Sequence, residues 1–242
     1  MVLGFLNYLP YSKHFHILSS IPNTFLAKLG ARGTLRPLNL QDETATKFGA
    51  SDVEDFTWKQ LLDGYTCTEC GRCTASCPAA TTGKPLSPKK IIVDMRHRTM
   101  EKAPFLAAGV TAETAGTDGI AAVAFGKKLV DDYISEDELW SCTTCMACVQ
   151  ECPVMIEHVD AIVDMRRYLV LNESRFPKEL QATFENLERN YTPWAFSHST
   201  RADWANGLDI PRMADIARGI EIILEVSART RTDLQTAEGR IS

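Results

Sequence analysis

The chain has 242 residues, a formal net charge of −5 and eight cysteines. The length allows one or two domains, and the acidic balance excludes the basic footprint of a nucleic-acid-binding surface. No apolar run approaches the roughly 18 residues that a membrane-spanning helix needs.

Residues 1–30 are apolar and aromatic. Leu3, Phe5, Leu6, Tyr8 and Leu9 are followed by Phe15, Ile17, Leu18, Ile21, Phe25 and Leu26, and no acidic residue precedes Asp42. The charges in this stretch are Lys13 and Lys28, with His14 and His16 nearby. Pro10 and Pro22 are expected to break any long helix. The aromatic and basic bias fits a segment at a membrane interface; the plainer reading is a helix docked on the protein's own core. Residues 30–50 read as a polar, glycine-containing linker.

Helix signals begin at Ser51 and Asp52, with Glu54 close behind and Phe56, Trp58, Leu61 and Leu62 at helical spacing. This helix feeds the first cysteine run. Ser87 is placed to cap a helix opened by Pro88, running from Lys89 to about Glu101 with Ile91, Ile92 and Met95 on one side. Residues of about 103–127 are rich in Ala, Gly and Thr and read as a variable loop with some helix. Ser135, Glu136, Asp137 and Glu138 then start a short helix into the second run. His158 to about Leu171 is amphipathic through Val159, Ile162, Val163, Met165 and Leu169. A further helix follows Pro177, with Leu180, Phe184 and Leu187 on its apolar face. The tail of about 218–242 is polar.

The cysteines carry the chemistry. Cys67, Cys70, Cys73 and Cys77 precede Pro78; Cys142, Cys145, Cys148 and Cys152 precede Pro153. Both runs read C-x2-C-x2-C-x3-C-P, the bacterial ferredoxin spacing for two [4Fe–4S] clusters. One tight loop supplies three thiolates to one cube, and the fourth comes from elsewhere. In two-cluster ferredoxins the fourth cysteine of each run serves the other cluster. On that rule cluster I takes Cys67, Cys70, Cys73 and Cys152, and cluster II takes Cys142, Cys145, Cys148 and Cys77. Structural zinc uses two separated knuckles, and disulfides need an oxidising compartment, for which no signal peptide is visible. Both are weaker readings.

The two halves repeat. Tyr65 and Trp140 each stand two residues before a first cysteine, and Ile92-Val93-Asp94-Met95-Arg96 matches Ile162-Val163-Asp164-Met165-Arg166. Each half is therefore helix, cysteine run, proline, helix. Strand-like alternation is nearly absent, so the fold expected is mostly α: an α-helical ferredoxin with pseudo-repeated halves, not the small βαββαβ ferredoxin. The expected organisation is a membrane-proximal segment and linker (1–50), a dicluster domain (51–175) and a helical extension (176–242).

Residues beside the clusters tune them by hydrogen bonds, charge and burial. Gly71 permits a tight backbone at cluster I, although its counterpart is Met146. Backbone N–H groups of the cysteine loops are expected to face the sulfurs. Arg72, Lys89, Lys90, Arg96, Arg166 and Arg167 are candidates to offset cluster charge, or they line solvated helix faces. His14 and His16 read either as lipid-headgroup contacts or as neighbours of a haem or quinone in a membrane partner. Trp194, Phe196 and Trp204 read as core or docking aromatics. No nucleophile set, dinucleotide fingerprint or Walker loop appears, so no catalytic residue is assigned.

The paired runs resemble the α-helical ferredoxin module of succinate dehydrogenase iron–sulfur subunits and heterodisulfide reductase subunits. A closer resemblance is to membrane-bound, heterodisulfide-reductase-related Fe–S oxidoreductases, over about residues 1–210. It rests on Leu9-Pro10-Tyr11-Ser12-Lys13-His14-Phe15-His16, Cys67-Thr68-Glu69-Cys70-Gly71-Arg72-Cys73 and Trp140-Ser141-Cys142-Thr143-Thr144-Cys145. It also rests on Asn190-Tyr191-Thr192-Pro193-Trp194 and Arg201-Ala202-Asp203-Trp204. The resemblance implies an N-terminal membrane domain like a b-type cytochrome, then the dicluster module, then a catalytic region with CCG motifs. No cysteine follows Cys152, so the expectation is an electron relay without a substrate site of its own. It would lie peripherally at the cytoplasmic face of the inner membrane, between a b-type cytochrome or quinone-linked subunit and a CCG-type partner. A split subunit, an excised domain, a truncated product and a purely structural Fe–S docking module are the other readings.

Overall fold

The computed structural model describes residues 1–208 apart from Arg32, Thr44, Thr46, Thr117 and Asp118. The polar tail read at about 218–242 lies outside them. The chain forms two compact units, Met1–Phe176 and Pro177–Ser242.

The first unit is helical. Its elements are α1 (Val2–Tyr8), α2 (His16–Phe25), α3 (Trp58–Thr66), α4 (Arg72–Ala75), α5 (Pro78–Thr81) and α6 (Pro88–Ala107). They continue with α7 (Ile120–Phe125), α8 (Leu129–Asp132, broken at Val130 and Asp131), α9 (Glu136–Trp140), α10 (Ala147–Gln150) and α11 (His158–Leu171). Among the described residues there is no strand, only an isolated bridge between Val130 and Ile134. The absence of period-2 sequence explains this.

The two repeated helices build the core. Ile91, Ile92 and Met95 of α6 and Ile162, Met165 and Leu169 of α11 are all buried, with Leu129, Ile134, Leu139 and Ile156 around them. Each such side chain contributes roughly 1.5–3 kcal/mol on burial. The cysteine loops hang from the N-terminal ends of these two helices, so a rigid core positions the sites. Ser87 caps α6 by accepting from the Lys90 N–H at 3.3 Å. Ser135 and Glu138 close a capping box on α9.

Several boundaries differ from the sequence reading. The helix expected from residue 51 begins at Trp58. Asp52 and Asp55 first close a capping box around the 3-10 turn Val53–Asp55, and Thr57 with Gln60 closes a second one that starts α3. Trp58, the first residue of α3, is 64% exposed. Helix α6 runs on through Pro104 to Ala107, past the expected end near Glu101. Pro22 lies inside α2 and does not break it. The neighbouring residues are anchored: Asn23 Nδ2 donates to Asp63 Oδ1 and to the Val154 carbonyl, both at 2.9 Å, and the Thr66 hydroxyl donates to the Ser19 carbonyl at 3.4 Å.

Helix α2 thus docks on α3 by a polar inner face. Its outer face and α1 leave Leu3, Phe5, Leu6, Tyr8, Ile17, Leu18, Ile21 and Phe25 exposed. Among the described residues no helix is long and apolar enough to cross a membrane. Gly49 closes the linker against α11: it has φ +83, and a side chain there would strike the backbone at Asp164 and Tyr168. The next residue, Ala50, donates to the Asp164 carbonyl at 2.9 Å.

The second unit carries α12 (Lys178–Asn190), which ends at Tyr191 in the left-handed region (φ 56). The ring of Trp194 stacks on Phe196 with centroids 6.4 Å apart. Thr192 Oγ1 donates to the carbonyls of Trp194 and Phe196, both at 2.9 Å, and fixes this turn.

Candidate metal centre

Each cysteine run folds the same way. Its third residue and its fifth take left-handed backbone: Glu69 (φ 55) and Gly71 (φ 81) in the first run, Thr144 (φ 55) and Met146 (φ 63) in the second. These reversals wrap three cysteines round one point and end on a short helix, α4 or α10. Met146 adopts a conformation that L side chains disfavour, which is why glycine is favoured but not required there. Pro78, after Cys77, opens α5, and Pro153, after Cys152, lines the cavity of the first run.

Cys67, Cys70 and Cys73 line one cavity together with Cys152, along with Arg72, Lys89 and His158. On the other side the charges of Cys77 and Cys145 act on Cys142, and those of Cys142 and Cys145 act on Cys148. Cys73 and Cys148 pack in one small cluster with Val159, so the two sites adjoin. Cys70 and Cys145, the second cysteine of each run, are exposed, whereas Cys67, Cys73, Cys77 and Cys148 are buried. The outer edge of each site therefore faces solvent.

Burial raises the thiols of Cys67, Cys73, Cys142, Cys148 and Cys152. Burial, reinforced by the charge of Cys67, pushes Cys73 up to about 11. Burial and the charge of Cys142 push Cys148 up to about 12. Cys70 lies below the ordinary thiol range because the Arg72 backbone N–H donates to it. The five raised groups are therefore protonated at neutral pH until a metal displaces their protons. Backbone N–H groups face the sulfurs: Thr144 N–H donates to Cys142 Sγ and Ile156 N–H to Cys152 Sγ, both at 3.4 Å.

The six candidate cations separate into two groups. Arg96 donates to the Cys67 carbonyl at 3.3 Å and pairs with Glu69. Its repeat partner Arg166 donates to the carbonyls of Leu139 and Cys142 and lies 5.1 Å from the Trp140 ring centroid. Arg72 and Lys89 line the first cavity. Lys90 turns to Glu138 and Asp94, and Arg167 to Asp164 and the Arg36 carbonyl, so both serve the scaffold. His14 lies against Phe5, with ring centroids 6.4 Å apart, in the N-terminal segment.

The sequence reading used His158 only as a helix start. In the fold it is 1% exposed and lines the first cavity. Burial holds its ring down to about 4, so it is neutral at physiological pH. Its Nδ1 lies 3.1 Å from the Ile156 carbonyl, an acceptor, which places the ring proton on Nδ1. The signal in sequence was its register: counted from the repeated Ile-Val-Asp-Met-Arg, His158 stands where the other half has Pro88.

The donor sets fit iron–sulfur cubes. They are all-thiolate and half sheltered. Among the described residues no group of three His, Cys, Asp or Glu side chains converges closely enough for a single ion. One zinc would draw thiolates to about 2.3 Å from a common centre, whereas a cube spreads them over four irons. Trp140 Nε1, two residues before Cys142, is buried without a hydrogen-bond partner. Such a donor costs about 1–3 kcal/mol unless a bound group supplies its acceptor.

Residues 66–156 match the 4Fe-4S dicluster domain family. The chain is thus an α-helical dicluster protein that binds two [4Fe–4S] clusters. It is 38% identical over 239 residues to a probable iron–sulfur-binding oxidoreductase of Bacillus subtilis, covering 90% of this chain and 34% of that one. It is 37% identical over 221 residues to an EtfAB:quinone oxidoreductase of Syntrophomonas wolfei (88% and 31%). A probable membrane-anchored ferredoxin of Chromohalobacter salexigens is 41% identical over 213 residues (84% and 31%). Over most of its length the chain is thus similar to part of larger iron–sulfur oxidoreductases, and over a shorter stretch to a heterodisulfide reductase subunit. One component of a CoB-CoM heterodisulfide reductase of Methanosarcina acetivorans matches a shorter stretch, 34% identical over 125 residues (49% and 57%). The chain spans about a third of the length of the first three relatives.

Proposed function

We propose that this chain is the two-cluster electron relay of a membrane-associated, heterodisulfide-reductase-like oxidoreductase. Cluster I is held by Cys67, Cys70, Cys73 and Cys152, and cluster II by Cys142, Cys145, Cys148 and Cys77. The observation that carries this reading is the shared cavity in which three cysteines of one run meet the fourth of the other. Each cluster, when bound, takes up and releases one electron. The chain's own contribution is to seat the two sites side by side through Cys73 and Cys148 and to expose one cysteine of each. That arrangement suits entry at one edge and exit at the other. The organisation that goes with it is a membrane-proximal segment (1–50), a dicluster domain (51–175) and a helical extension (176–242).

Anaerobic reconstitution followed by EPR tests the relay. About eight irons per chain are expected, with two interacting [4Fe–4S] signals after dithionite reduction. About four irons, or clusters that dithionite leaves unreduced, would count against it.

Electrons would pass between a b-type cytochrome or quinone-linked membrane subunit and a CCG-type partner that transforms substrate. The relatives' names, an EtfAB:quinone oxidoreductase and a heterodisulfide reductase subunit, support oxidoreductase partners in general. The localisation proposed is the cytoplasmic face of the inner membrane, supported by the exposed apolar face of α1 and α2 and by the absence of acidic residues before Asp42. Leu3, Phe5 and Leu6 replaced together by serine should cut co-sedimentation with anionic vesicles severalfold. Equal sedimentation of parent and variant would refute this placement.

A further inference from the structure

Between the N-terminal segment and the cluster I loop lies a cleft of about 270 Å³, lined by Tyr11, Phe15, Tyr65, Arg96, His97 and Met100 among others. The ring of Phe15 stands edge-on to Tyr65, with centroids 5.8 Å apart, and forms an apolar wall. The Tyr11 and Tyr65 hydroxyls and the His97 imidazole make no hydrogen bond among the described residues. Three polar groups with free capacity thus converge on an aromatic-walled cleft.

We propose that this cleft binds the ring of a membrane quinone and exchanges electrons with cluster I. The inference rests on the relay reading above and deepens it by giving the quinone a site on this chain. Three observations select the ligand. The cleft's guanidinium, Arg96, is already paired with Glu69, so among the described lining residues an anion such as a lipid phosphate finds no unpaired guanidinium or ammonium. A neutral ring with carbonyl acceptors suits the two hydroxyls and the imidazole. Beside the cleft, α1 and α2 expose Leu3, Phe5, Leu6, Ile17, Leu18 and Ile21, a surface on which an isoprenoid tail or the bilayer around it can lie.

The link to the redox centre is direct. Arg96 lines the cleft and also donates to the carbonyl of Cys67, and Glu69 belongs to the same cysteine loop. Converting one quinone to one quinol takes two electrons and two protons. The electrons come singly from two cluster oxidations. The protons reach the carbonyl oxygens from solvent, at the open side where Tyr11 and His97 are exposed. Quinol oxidation is the same balance in reverse.

The reconstituted full chain, reduced with dithionite and freed of excess, is mixed anaerobically with menadione in a stopped-flow cell, and cluster reoxidation is followed. Saturation is expected. The double variant Tyr65→Phe, His97→Ala should raise the half-saturating menadione concentration about tenfold, the loss of two modest hydrogen bonds, with iron content and EPR spectrum as in the parent. A photoreactive azidonaphthoquinone should label peptides holding Tyr11, Phe15 or His97. Unchanged half-saturation, or label elsewhere only, overturns the proposal. Ferricyanide separates the two levels: if it reoxidises the clusters and menadione does not, the quinone site falls and the relay stands. If neither reoxidises them, the relay reading falls as well.

Discussion

Replacing Cys152 with serine is expected to remove the cluster built on Cys67, Cys70 and Cys73, and not the one built by its own run. Cys152 lines the cavity of the first run, and its charge raises both Cys67 and Cys73. Iron should fall from about eight toward about four per chain. The decisive comparison is with two exposed cysteines, Cys70 and Cys145, each the middle ligand of its own loop. The cluster surviving in Cys152→Ser should have the EPR spectrum and potential of the one surviving in Cys70→Ser. Likewise Cys77→Ser should match Cys145→Ser, because the charge of Cys77 acts on Cys142. If Cys152→Ser matched Cys145→Ser instead, each run would hold its own cube and the exchange of fourth ligands would be wrong.

The second large effect is on stability. Arg98 is completely buried, and its guanidinium donates to both carboxylate oxygens of Asp52, at 2.9 and 2.6 Å, and to the Lys127 carbonyl at 2.5 Å. Lys102 also pairs with Asp52, at 2.8 Å. This ties the turn before α3 to the middle of α6 and to the chain after α7. Arg98→Met leaves Asp52 short of a partner in a buried place. A buried pair broken on one side costs about 3–5 kcal/mol; Lys102 remains, so about 3 kcal/mol is expected, or a fall of roughly 6–12 °C in Tm for a unit of this size. Anaerobic urea unfolding of the cluster-loaded protein measures it. A cost under about 1 kcal/mol would show that Lys102 alone satisfies Asp52.

The pH dependence has a definite sign. Burial by itself pushes Asp52 up, but hydrogen bonds from Arg98 and Lys102 and their charges more than reverse this, and the carboxyl lies below its ordinary value. A depressed acid contributes stability above its unfolded pKa of about 3.9 and loses it as pH falls through the folded value. Acid titration of the parent should therefore show a loss of stability below about pH 4. Arg98→Met should show less of it.

Local chemistry was legible wherever it was written in neighbouring residues. The spacing of Cys67 to Cys77 and of Cys142 to Cys152 declares the cofactor, because a tight loop can offer three thiolates to a cube and few other sites need that. The matching Ile-Val-Asp-Met-Arg stretches marked the two core helices, and Ser87 and Ser135 marked two helix starts. Boundaries were less legible near Asp52, where the sequence has two adjacent capping boxes and the chain uses both. Pro22 misled because tertiary hydrogen bonds from Asn23 and Thr66 outweigh the single backbone bond that a proline removes.

Sequence by itself determined the ligand type, the cluster number and the helical class, since each depends on side chains within about ten residues of one another. Tertiary structure decided which cations face the sites. Arg96 and Arg166 occupy equal places in the repeat and both reach a first-cysteine carbonyl, yet Arg96 is paired with Glu69 where the second run has Thr144. It also placed His158 at the first cavity, and it joined Tyr11, Tyr65 and His97 round one cleft. Those residues lie up to 86 positions apart, and only the packing of α2 on α3 and of α3 on α6 brings them together.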